Sequence, residues 1–362
     1  MSRAAKSERT LRVSAEQTRW VASLSPWPAD GFGLDRMRVL LHVLGDPQHR
    51  YPAIHVVGTN GKSTATREIE ALLLADGLSV GATVSPHVRA WSERIRVDGH
   101  EADFEAAVAR VRPVAERVAA TQFETVTAAA FAEFAARAVD VAVVEAGLGG
   151  RYDATNMLDT SVVLLTNIGL DHTEVLGETT EEIANEKLAV AHPESIVVMS
   201  DNRYAHLVPG RRLVLGGARQ AAEAFVGHAV TTAVEVELPG RLERRAGEVR
   251  DGAHNPDGVR WLVPRLAADD YTICVSILRD KNAAEMLGEL ARVGRRLVAT
   301  QSSNERALPA RELAALAEPF FDQVEAVTDP AEAVLRAHEL GEPVLVTGSL
   351  YLLADLTQLE ST

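Results

Sequence analysis

The 362-residue sequence predicts an α/β protein with two domains, each built around a mostly parallel β-sheet. In the first half, an apolar run at 53–57 passes into a glycine-rich turn and then into a helical pattern, which is how a βαβ unit begins. In the second half, helical stretches alternate with short apolar runs, and this rhythm is typical of parallel sheets covered by helices. A chain of this length also exceeds what one hydrophobic core usually supports. We therefore expect one domain at residues 1–238 and a second, smaller one at residues 239–362.

The composition is that of a globular protein, with 46% hydrophobic and 24% charged residues. The formal net charge of −14 argues against a nucleic-acid-binding surface, because such surfaces are usually basic. The one cysteine, Cys274, lies in an apolar run, which favours a buried strand position over a catalytic thiol. The sequence contains neither a signal-peptide core nor an apolar run long enough to span a bilayer. We expect a soluble, cytoplasmic monomer that binds neither nucleic acid nor membranes.

Periodicity, together with the positions of glycine and proline, predicts the elements of the first half. Residues 1–17 show no sustained periodicity, so we expect a loosely held arm there. Apolar residues at helical spacing predict a helix at 34–44, which Gly45 and Pro47 end. The elements that follow are, in order, a strand at 53–57, a helix at 62–76, a strand at 79–83, an irregular segment at 85–99, helices at 101–120 and 124–138, strands at 139–144 and 161–166, a helix at 179–190, and strands at 196–199 and 212–215.

The second half begins after an alanine-rich stretch at 216–237, because Pro239-Gly240 forms a natural domain boundary. A polar turn at 251–256 comes before its first helix. The predicted helices lie at about 256–268, 281–293, 309–317 and 330–340, and the predicted strands at about 271–276, 295–299, 323–327 and 343–347.

The turn after the first strand reads Gly58-Thr59-Asn60-Gly61-Lys62-Ser63 and indicates a nucleoside triphosphate site. Backbone N–H groups in such a turn, together with the helix N-terminus, bind phosphate oxygens. Lys62 can reach the β- and γ-phosphates, and Ser63 or Thr64 can bind a magnesium ion. The strict motif has a glycine where this chain has Val56, so the loop is a shorter variant that begins at Gly58. The structural alternative is a glycine-rich turn that binds no ligand.

Glu145 and His172 each follow an apolar strand, so both are expected at the sheet edge that holds the phosphate loop. Magnesium bound by Glu145, a hydroxyl group and phosphate oxygens is chemically reasonable, whereas an imidazole would be an unusual ligand. One carboxylate and one imidazole are too few for a closed structural zinc site. Taken singly, Glu145 would be a salt-bridged or capping carboxylate and His172 a hydrogen-bonded loop residue. Their joint placement beside Lys62 favours a functional role.

Several motifs stand in a fixed order that resembles one known family. They are Gly58 to Ser63, Ser85-Pro86-His87 with Ser92-Glu93-Arg94-Ile95, Phe123-Glu124 with Thr127-Ala128, residues 145–156, Thr166-Asn167-Ile168 with Asp171-His172, Glu186-Lys187, Pro239-Gly240-Arg241, and residues 251–256. This order resembles that of folylpolyglutamate synthase/dihydrofolate synthase, a family of the Mur ligase superfamily. The resemblance covers roughly residues 30–355, and the ordered set is far more specific than any single motif.

The resemblance implies a Mur-ligase-like fold, with a central phosphate-loop ATPase domain, a smaller Rossmann-like C-terminal domain and an active site between them. It also implies an ATP-dependent acid–amino-acid ligase that uses ATP and Mg²⁺ to add L-glutamate to a folate- or pteroate-type carboxylate. ATP would convert the carboxylate into an acyl phosphate, which the amine of glutamate attacks. The protein would mainly position the reactants and neutralise charge.

The same resemblance implies roles for individual residues. The catalytic residues would be Lys62, His172, Lys187 and His254, with Lys187 carbamylated. The metal ligands would be Ser63, Ser85, Glu145, His172 and Lys187. ATP would contact Gly58, Thr59, Asn60, Gly61, Lys62, Ser63, Thr64, Gln220, Arg241, Asp251 and His254. The carboxylate substrate would contact Ser85, Pro86, His87, Arg94, Phe123, Thr127, Arg151 and Asp153.

The chain departs from the family's pattern in three places, and two other functions stay open. Ser63 stands where folate ligases commonly have glycine, and the segment at 188–240 is shorter than usual. Gln220 is kept near the adenine site, but Arg219 and Glu223 replace the expected histidine and asparagine. The first alternative is a Mur-type ligase that acts on a different carboxylate. The second is a non-catalytic nucleotide-binding protein, although Lys187 and the other expected catalytic residues are present.

Overall fold

The structure, a computed structural model, describes residues 15–28, 31–267 and 270–360. The chain divides into two compact units. The first comprises Met1–Ser85 and Ala90–Val236, and the second comprises Pro86–Arg89 and Glu237–Thr362. The short segment Pro86–Arg89 therefore belongs with the C-terminal half of the chain. Each unit is described separately below.

The first unit is built around an eight-stranded sheet with the order β4-β3-β2-β5-β1-β6-β7-β8, in which β3 and β4 are antiparallel to their neighbours and the other strands are parallel. Its helices and strands are α1 (Glu16–Ser23), α2 (Asp35–Val43), β1 (Ala53–Val57), α3 (Lys62–Ala75), β2 (Val80–Thr83), β3 (Arg96–Val97), β4 (His100–Glu101), α4 (Phe104–Arg117), α5 (Gln122–Arg137), β5 (Val141–Glu145), β6 (Thr160–Leu165), α6 (Thr173–Leu176), α7 (Thr180–Leu188), β7 (Ile196–Met199), β8 (Arg212–Leu215) and α8 (Ala218–Val226). Short 3₁₀ turns lie at Pro47–His49, Trp91–Arg94 and Ala205–Leu207.

The central strands β1 and β5 are buried on both faces, which explains why their sequences are continuous apolar runs rather than alternating patterns. Ala53 packs with α4 and α5 on one face, whereas Ile54 and Val56 pack with α3 and α8 on the other. Gly81 in β2 lies against the ring of Phe134, and a Cβ atom there would come within 2.5 Å of Phe134 Cδ1. The sheet is therefore a rigid platform whose strand ends are held in fixed register.

The second unit contains a six-stranded sheet with the order β13-β12-β11-β14-β10-β9, parallel except for β9. Helices α9 to α11 cover one face, and α12 and α13 cover the other. The elements are β9 (Glu243–Arg245), β10 (Glu248–Arg250), α9 (Pro256–Leu262), β11 (Thr272–Val275), α10 (Ala283–Leu290), β12 (Arg296–Ala299), α11 (Ala310–Ala317), β13 (Gln323–Ala326), α12 (Pro330–Leu340), β14 (Val344–Thr347) and α13 (Leu350–Glu360), with a 3₁₀ turn at Val263–Arg265.

The predicted α/β class with mostly parallel sheets is confirmed, and the predicted elements are present with ends shifted by a few residues. Cys274 is fully buried in β11, as predicted, and burial raises the pKa of its thiol to about 12. Among the residues that the structure describes, no helix combines the length and apolarity needed to cross a bilayer.

Some predictions were wrong or incomplete. Residues 1–14 of the predicted arm lie outside the described residues, but Glu16 and Gln17 are helical rather than loosely held. The backbone N–H groups of Gln17 and Thr18 donate to the Glu105 carboxylate at 2.8 Å, so α1 is tied to α4. The segment predicted as irregular at 85–99 contains β3, which forms a hairpin with β4. The β9–β10 hairpin and α13 were not predicted.

Candidate active site

The phosphate loop connects β1 to α3 and is held in place by the residues that follow β6. Gly58 has a φ of +146°, and a Cβ atom there would overlap Thr166 Oγ1 and lie 3.1 Å from Asn167 O, so a side chain would not fit. The N–H of Thr59 donates to Asn167 O at 3.0 Å, and the N–H of Asn60 donates to Asn167 Oδ1 at 2.9 Å. Two of the predicted phosphate-binding residues thus use their N–H groups to shape the loop.

The N-terminus of α3 completes the loop. Gly61 adopts a left-handed conformation, with a φ of +78°, immediately before Lys62 begins the helix. The first hydrogen bond that closes within the helix runs from Ala65 N to Gly61 O, so the N–H groups of residues 62–64 are not used by the helix itself. Lys62 folds back over the loop, and its Nζ donates to Thr59 O at 3.2 Å. This arrangement brings helix N–H groups and a cation to one place, as an anionic ligand requires.

Glu145 is hydrogen-bonded to two other predicted metal ligands, Ser63 and Ser85. It ends β5, between β1 and β2, and is 4% exposed. Ser63 Oγ donates to Glu145 Oε1 at 3.1 Å, and the backbone N–H of Ser85 donates to Glu145 Oε2 at 2.9 Å. The carboxylate therefore connects the first turn of α3 with the segment that follows β2. A carboxylate beside a hydroxyl group is the type of oxygen donor set that Mg²⁺ prefers.

His172 lies on the loop after β6 and begins the short helix α6. Its φ of +51° is left-handed, and its N–H donates to Asp171 Oδ1 at 3.0 Å. The same loop is joined to the phosphate loop, because Gly169 N donates to Thr59 Oγ1 at 3.0 Å. Within the described ranges, no group of three His, Cys, Asp or Glu side chains is arranged to hold a metal ion. A metal at Glu145 would therefore need ligands of other kinds, such as hydroxyl groups, phosphate oxygens or a modified side chain.

Lys187 is a buried amine beneath the phosphate loop. Its residue is 5% exposed, and its Nζ donates to Gly58 O at 3.0 Å. Burial, followed by the positive charge of Lys62, lowers the pKa of Lys187 to about 7. Its neighbour Glu186 instead pairs with Arg151, whose Nε lies 3.1 Å from Glu186 Oε2. Lys187 is therefore buried, and the carboxylate next to it in sequence is engaged by another cation.

A small cavity, partly open to solvent, lies beside Glu145 within the first unit. Four predicted substrate residues, Ser85, Arg94, Phe123 and Thr127, line it together with Thr83, Val84, Val126, Glu145 and Thr155. The guanidinium of Arg94 lies 4.5 Å from the centre of the Trp91 ring, which fixes a buried cation at the wall. Thr155 was not predicted as a site residue, and the signal that could have found it is its place in the run Asp153-Ala154-Thr155-Asn156.

The remaining predicted substrate residues do not line this cavity. Arg151 is engaged by Glu186, as described above. Asp153 is buried, and its Oδ2 accepts a hydrogen bond from Leu148 N at 2.8 Å. Pro86 and His87 belong to the second unit.

Gln220, in the first unit, has a structural contact, since its Oε1 accepts from Gly217 N at 3.0 Å and caps α8. The two residues that depart from the family's pattern both hold the segment after α8. Arg219 donates to the backbone oxygens of Val230 and Thr232, and Glu223 accepts from Val230 N at 3.1 Å.

The predicted nucleotide contacts of the second unit lie in two segments, with Arg241 just before β9 and with Asp251 and His254 just after β10. Asp251 is buried and accepts hydrogen bonds from Leu242 N and Ala253 N, both at 2.8 Å. Burial raises the pKa of Asp251, while the charge of Arg241 opposes this shift. His254 Nδ1 lies 2.9 Å from Gly252 O. Asp251 therefore joins the segment that carries Arg241 to the turn that carries His254.

Comparison with known proteins agrees with this geometry. The chain matches the Mur ligase middle domain at residues 56–212 and the Mur ligase glutamate ligase domain at residues 240–350. The dihydrofolate synthase/folylpolyglutamate synthase of Mycobacterium tuberculosis is 30% identical to this chain over an alignment that is 403 positions long with its gaps. The alignment covers 85% of this chain and 83% of that protein.

Two solved structures share the fold. One is the folylpolyglutamate synthase of Mycobacterium tuberculosis complexed with ADP and AMPPCP, with a TM-score of 0.87, 27% identity, and coverage of 97% of this chain and 99% of that one. The other is a bifunctional folylpolyglutamate synthase/dihydrofolate synthase with Mn, AMPPNP and L-glutamate bound, with a TM-score of 0.83, 26% identity, and coverage of 97% and 99%.

The two sheets, the phosphate loop and the Glu145 site define a Mur-type ligase, which confirms the predicted fold class. Within that class, the chain belongs to the dihydrofolate synthase/folylpolyglutamate synthase family. The family resemblance predicted from the ordered motifs is thereby confirmed.

Proposed function

We propose that this chain is an ATP-dependent ligase that adds L-glutamate to a folate- or pteroate-type carboxylate through an acyl phosphate. The observation that carries the proposal is the shared carboxylate of Glu145. It accepts hydrogen bonds from Ser63 in the phosphate-loop helix and from Ser85 at the cavity wall. Because phosphoryl transfer needs donor and acceptor side by side, a residue common to both sites supports this reaction.

The cavity supports a flat, anionic substrate. Phe123 lines the cavity and packs against Gly147, where a Cβ atom would lie 2.6 Å from Phe123 Cζ, so the glycine allows the ring to lie at this wall. Arg94 brings positive charge to a chain whose formal net charge is −14, so an anion can be attracted locally. The hydroxyl group of Thr127 adds a polar contact. We propose that Arg151, Asp153, Pro86 and His87 complete substrate recognition.

Phosphoryl transfer would depend mainly on charge and position. Ser63, Ser85, Glu145 and His172 would hold Mg²⁺, which when bound supplies positive charge against the crowded phosphate oxygens. Lys62 lies over the loop and would follow the charge that develops on the transferred group. The helix N–H groups of residues 62–64 would bind phosphate oxygens. Residues 58–61 would shape the loop around the triphosphate.

The second unit and α8 would supply the remaining ATP contacts. We propose that Arg241 and His254 bind ATP, with Asp251 holding together the two segments that carry them. Gln220 would bind adenine through its Nε2, because its cap on Gly217 uses only Oε1.

Lys187 would act as a carbamate. Reaction with carbon dioxide converts the amine into an anionic oxygen ligand and needs the unprotonated form. A pKa near 7, set by burial and by Lys62, makes that form available at neutral pH. The carbamate would add negative charge near Gly58 and would supply one of the further ligands that a metal at Glu145 needs.

One observation favours a second candidate, a Mur-type ligase that acts on a different carboxylate. Ser63 stands where folate ligases commonly have glycine, and its hydroxyl group is committed to Glu145. The test is ADP release with and without glutamate, using dihydropteroate, tetrahydrofolate and unrelated carboxylates. ADP should form only when glutamate and a folate-type carboxylate are both present. ADP release that needs neither substrate would overturn the ligase. ADP release with glutamate and an unrelated carboxylate, but not with a folate-type carboxylate, would favour the second candidate.

We propose a cytoplasmic location and a monomer. ATP and reduced folates are substrates of the cell interior, and the buried thiol of Cys274 fits a reducing compartment. Gel filtration with light scattering tests the oligomeric state, and a dimer would contradict the proposal.

A further inference from the structure

A chain of three hydrogen-bonded side chains runs from the central strand β1 to the wall of the cavity. His55 lies in the middle of β1 and is fully buried. Its Nε2 lies 2.8 Å from Thr155 Oγ1, and Thr155 Oγ1 is hydrogen-bonded in turn to Asp153 Oδ1. Thr155 lines the cavity, while Asp153 is buried in the same loop. The sheet interior is thereby connected to the substrate site.

The other partners of Asp153 fix the direction of the protons in this chain. The Asp153 carboxylate also accepts hydrogen bonds from Thr155 N at 3.0 Å and from Leu148 N at 2.8 Å. Burial raises the pKa of Asp153, whereas these hydrogen bonds favour its ionised form, which can only accept; the hydroxyl proton of Thr155 is then donated to Asp153. The oxygen of Thr155 then accepts from His55, so the imidazole carries its proton on Nε2. His55 Nδ1 has no partner among the residues that the structure describes.

This arrangement is costly if its purpose is stability alone. A buried imidazole loses its hydration, and a bare Nδ1 recovers nothing for that loss. Its neighbours in β1, Ile54 and Val56, are aliphatic, and a leucine at position 55 would avoid both costs. Burial, with a smaller contribution from His192, lowers the pKa of His55 to about 3, so the ring stays neutral at physiological pH. His55 is therefore a fixed hydrogen-bond donor rather than a proton carrier.

We infer that His55 and Thr155 are positioning residues that hold the loop at 147–156, and with it Asp153, in the shape that accepts the carboxylate substrate. The inference rests on the proposed function, because the cavity and Asp153 are substrate contacts only under that proposal. Neither His55 nor Thr155 reacts with the substrate. The Nε2–H of His55 sets the orientation of Thr155, and Thr155 sets the orientation of the Asp153 carboxylate.

The test compares variants of the full-length protein. His55→Leu removes the donor at similar volume, His55→Gln keeps an N–H near the position of Nε2, and Thr155→Val removes the hydroxyl group. Thr160→Val is the matched control, because Thr160 is a buried threonine in β6 whose Oγ1 has no described partner. Steady-state kinetics gives the KM for the carboxylate, for ATP and for glutamate, and thermal unfolding gives the Tm of each variant.

We expect the KM for the carboxylate to change more than the KM values for ATP and glutamate. His55→Leu and Thr155→Val should each raise the KM for the carboxylate about tenfold, the effect of losing one buried hydrogen bond. The KM values for ATP and glutamate should change less than about twofold. His55→Gln should recover part of the loss, Thr160→Val should show none, and the double variant should resemble Thr155→Val alone. An unchanged carboxylate KM in His55→Leu, or equal effects on all three substrates, would overturn the inference.

A second measurement keeps this inference separate from the proposed function. Nitrogen NMR of the full chain should show His55 protonated on Nε2 and bare on Nδ1. Amide exchange at Leu148 and Thr155, whose N–H groups donate to Asp153, should speed up about tenfold in His55→Leu and not in Thr160→Val. If no carboxylate supports turnover, the proposed function fails while these readouts still decide the inference. Protonation on Nδ1, or unchanged exchange at both amides, would refute it.

Discussion

Lys187 donates a hydrogen bond from its Nζ to the backbone oxygen of Gly58, 3.0 Å away, so a buried amine contacts the first residue of the phosphate loop. A carbonyl is a weaker partner than a carboxylate for a buried positive charge, and the charges of Asp171, Asp153 and Glu186 only partly offset the cost of burial. Burial and the charge of Lys62 accordingly lower the pKa of Lys187 to about 7. An amine with this pKa can react with carbon dioxide at neutral pH, and its contact with the loop places the product beside the proposed phosphate site.

The first prediction concerns the modified side chain. Lys187→Ala should lose most of the ADP-forming activity, because the proposed carbamate ligand is removed, while the protein stays folded and ATP binding changes little. A small carboxylic acid such as acetate should restore part of the activity by occupying the place of the carbamate. The measurement is the turnover of the variant and of the native enzyme, each with and without acetate.

Ethylamine, which matches acetate in size but carries the opposite charge, is the control and should not restore activity. Native-like turnover of Lys187→Ala would discard the carbamate. Electron density that ends at an unmodified amine in an active, magnesium-loaded complex would also count against it.

The second prediction is a dependence of stability on pH. The folded pKa of Lys187 is about 7, whereas the unfolded value is about 10.5. Between these values the unfolded chain holds a proton that the folded chain does not, so this residue makes the protein less stable as pH falls from about 10.5 to 7. Below about pH 7 both states hold the proton and the effect becomes constant.

Lys187→Met removes this effect, so the variant should gain stability relative to the native protein as pH falls through that window. At about 1.4 kcal/mol for each pH unit over which only the unfolded chain holds the proton, the relative gain between pH 10 and 7 is roughly 3–4 kcal/mol. Urea unfolding at four pH values in buffer free of carbon dioxide measures it. A stability difference that does not change with pH would show that Lys187 is charged in the folded state.

The third prediction concerns the carboxylate that joins loop and cavity. Glu145→Gln should lower kcat by about two to three orders of magnitude, because the amide removes a charge and turns a donor toward either Ser63 or Ser85. The magnesium concentration needed for half-maximal activity should rise as well. Asp159→Asn, which changes an exposed carboxylate paired with His49, is the control. If Glu145→Gln keeps the native magnesium requirement, Glu145 does not hold the metal.

The sequence predicted this carboxylate because parallel strands end at one edge, and Glu145 follows an apolar run next to the phosphate-loop strand. The burial of Lys187 could not be predicted in the same way. It results from packing between segments far apart in the chain, in which Gly150 lies against the backbone at the end of α7. His55 was overlooked for a related reason, since one polar residue in an apolar strand does not reveal its partner, Thr155.

Three other elements could not be predicted because their residue patterns differ from those of typical strands and helices. The β9–β10 hairpin has no apolar alternation, because Glu248 and Arg250 are buried as an ion pair rather than exposed as their residue types suggest. Helix α13 begins two residues after β14, so its apolar residues continue the strand's pattern without a clear break. Helix α1 is mainly polar and depends on Glu105 of another helix, which local periodicity does not report.

The last prediction concerns Arg219, which departs from the family's pattern near the expected adenine site. The structure gives it a different task, because its guanidinium binds the backbone oxygens of Val230 and Thr232 and holds the segment that follows α8. Arg219→Ala should therefore increase protease cleavage at 228–238 and change the affinity for ADP less than about threefold, since an exposed or half-exposed anchor contributes mainly to local order. Limited proteolysis and calorimetric titration with ADP measure the two effects. Arg203→Ala is the control, because that guanidinium only stacks on Tyr204 at 5.9 Å. A tenfold loss of ADP affinity with an unchanged cleavage pattern would show instead that Arg219 binds the nucleotide.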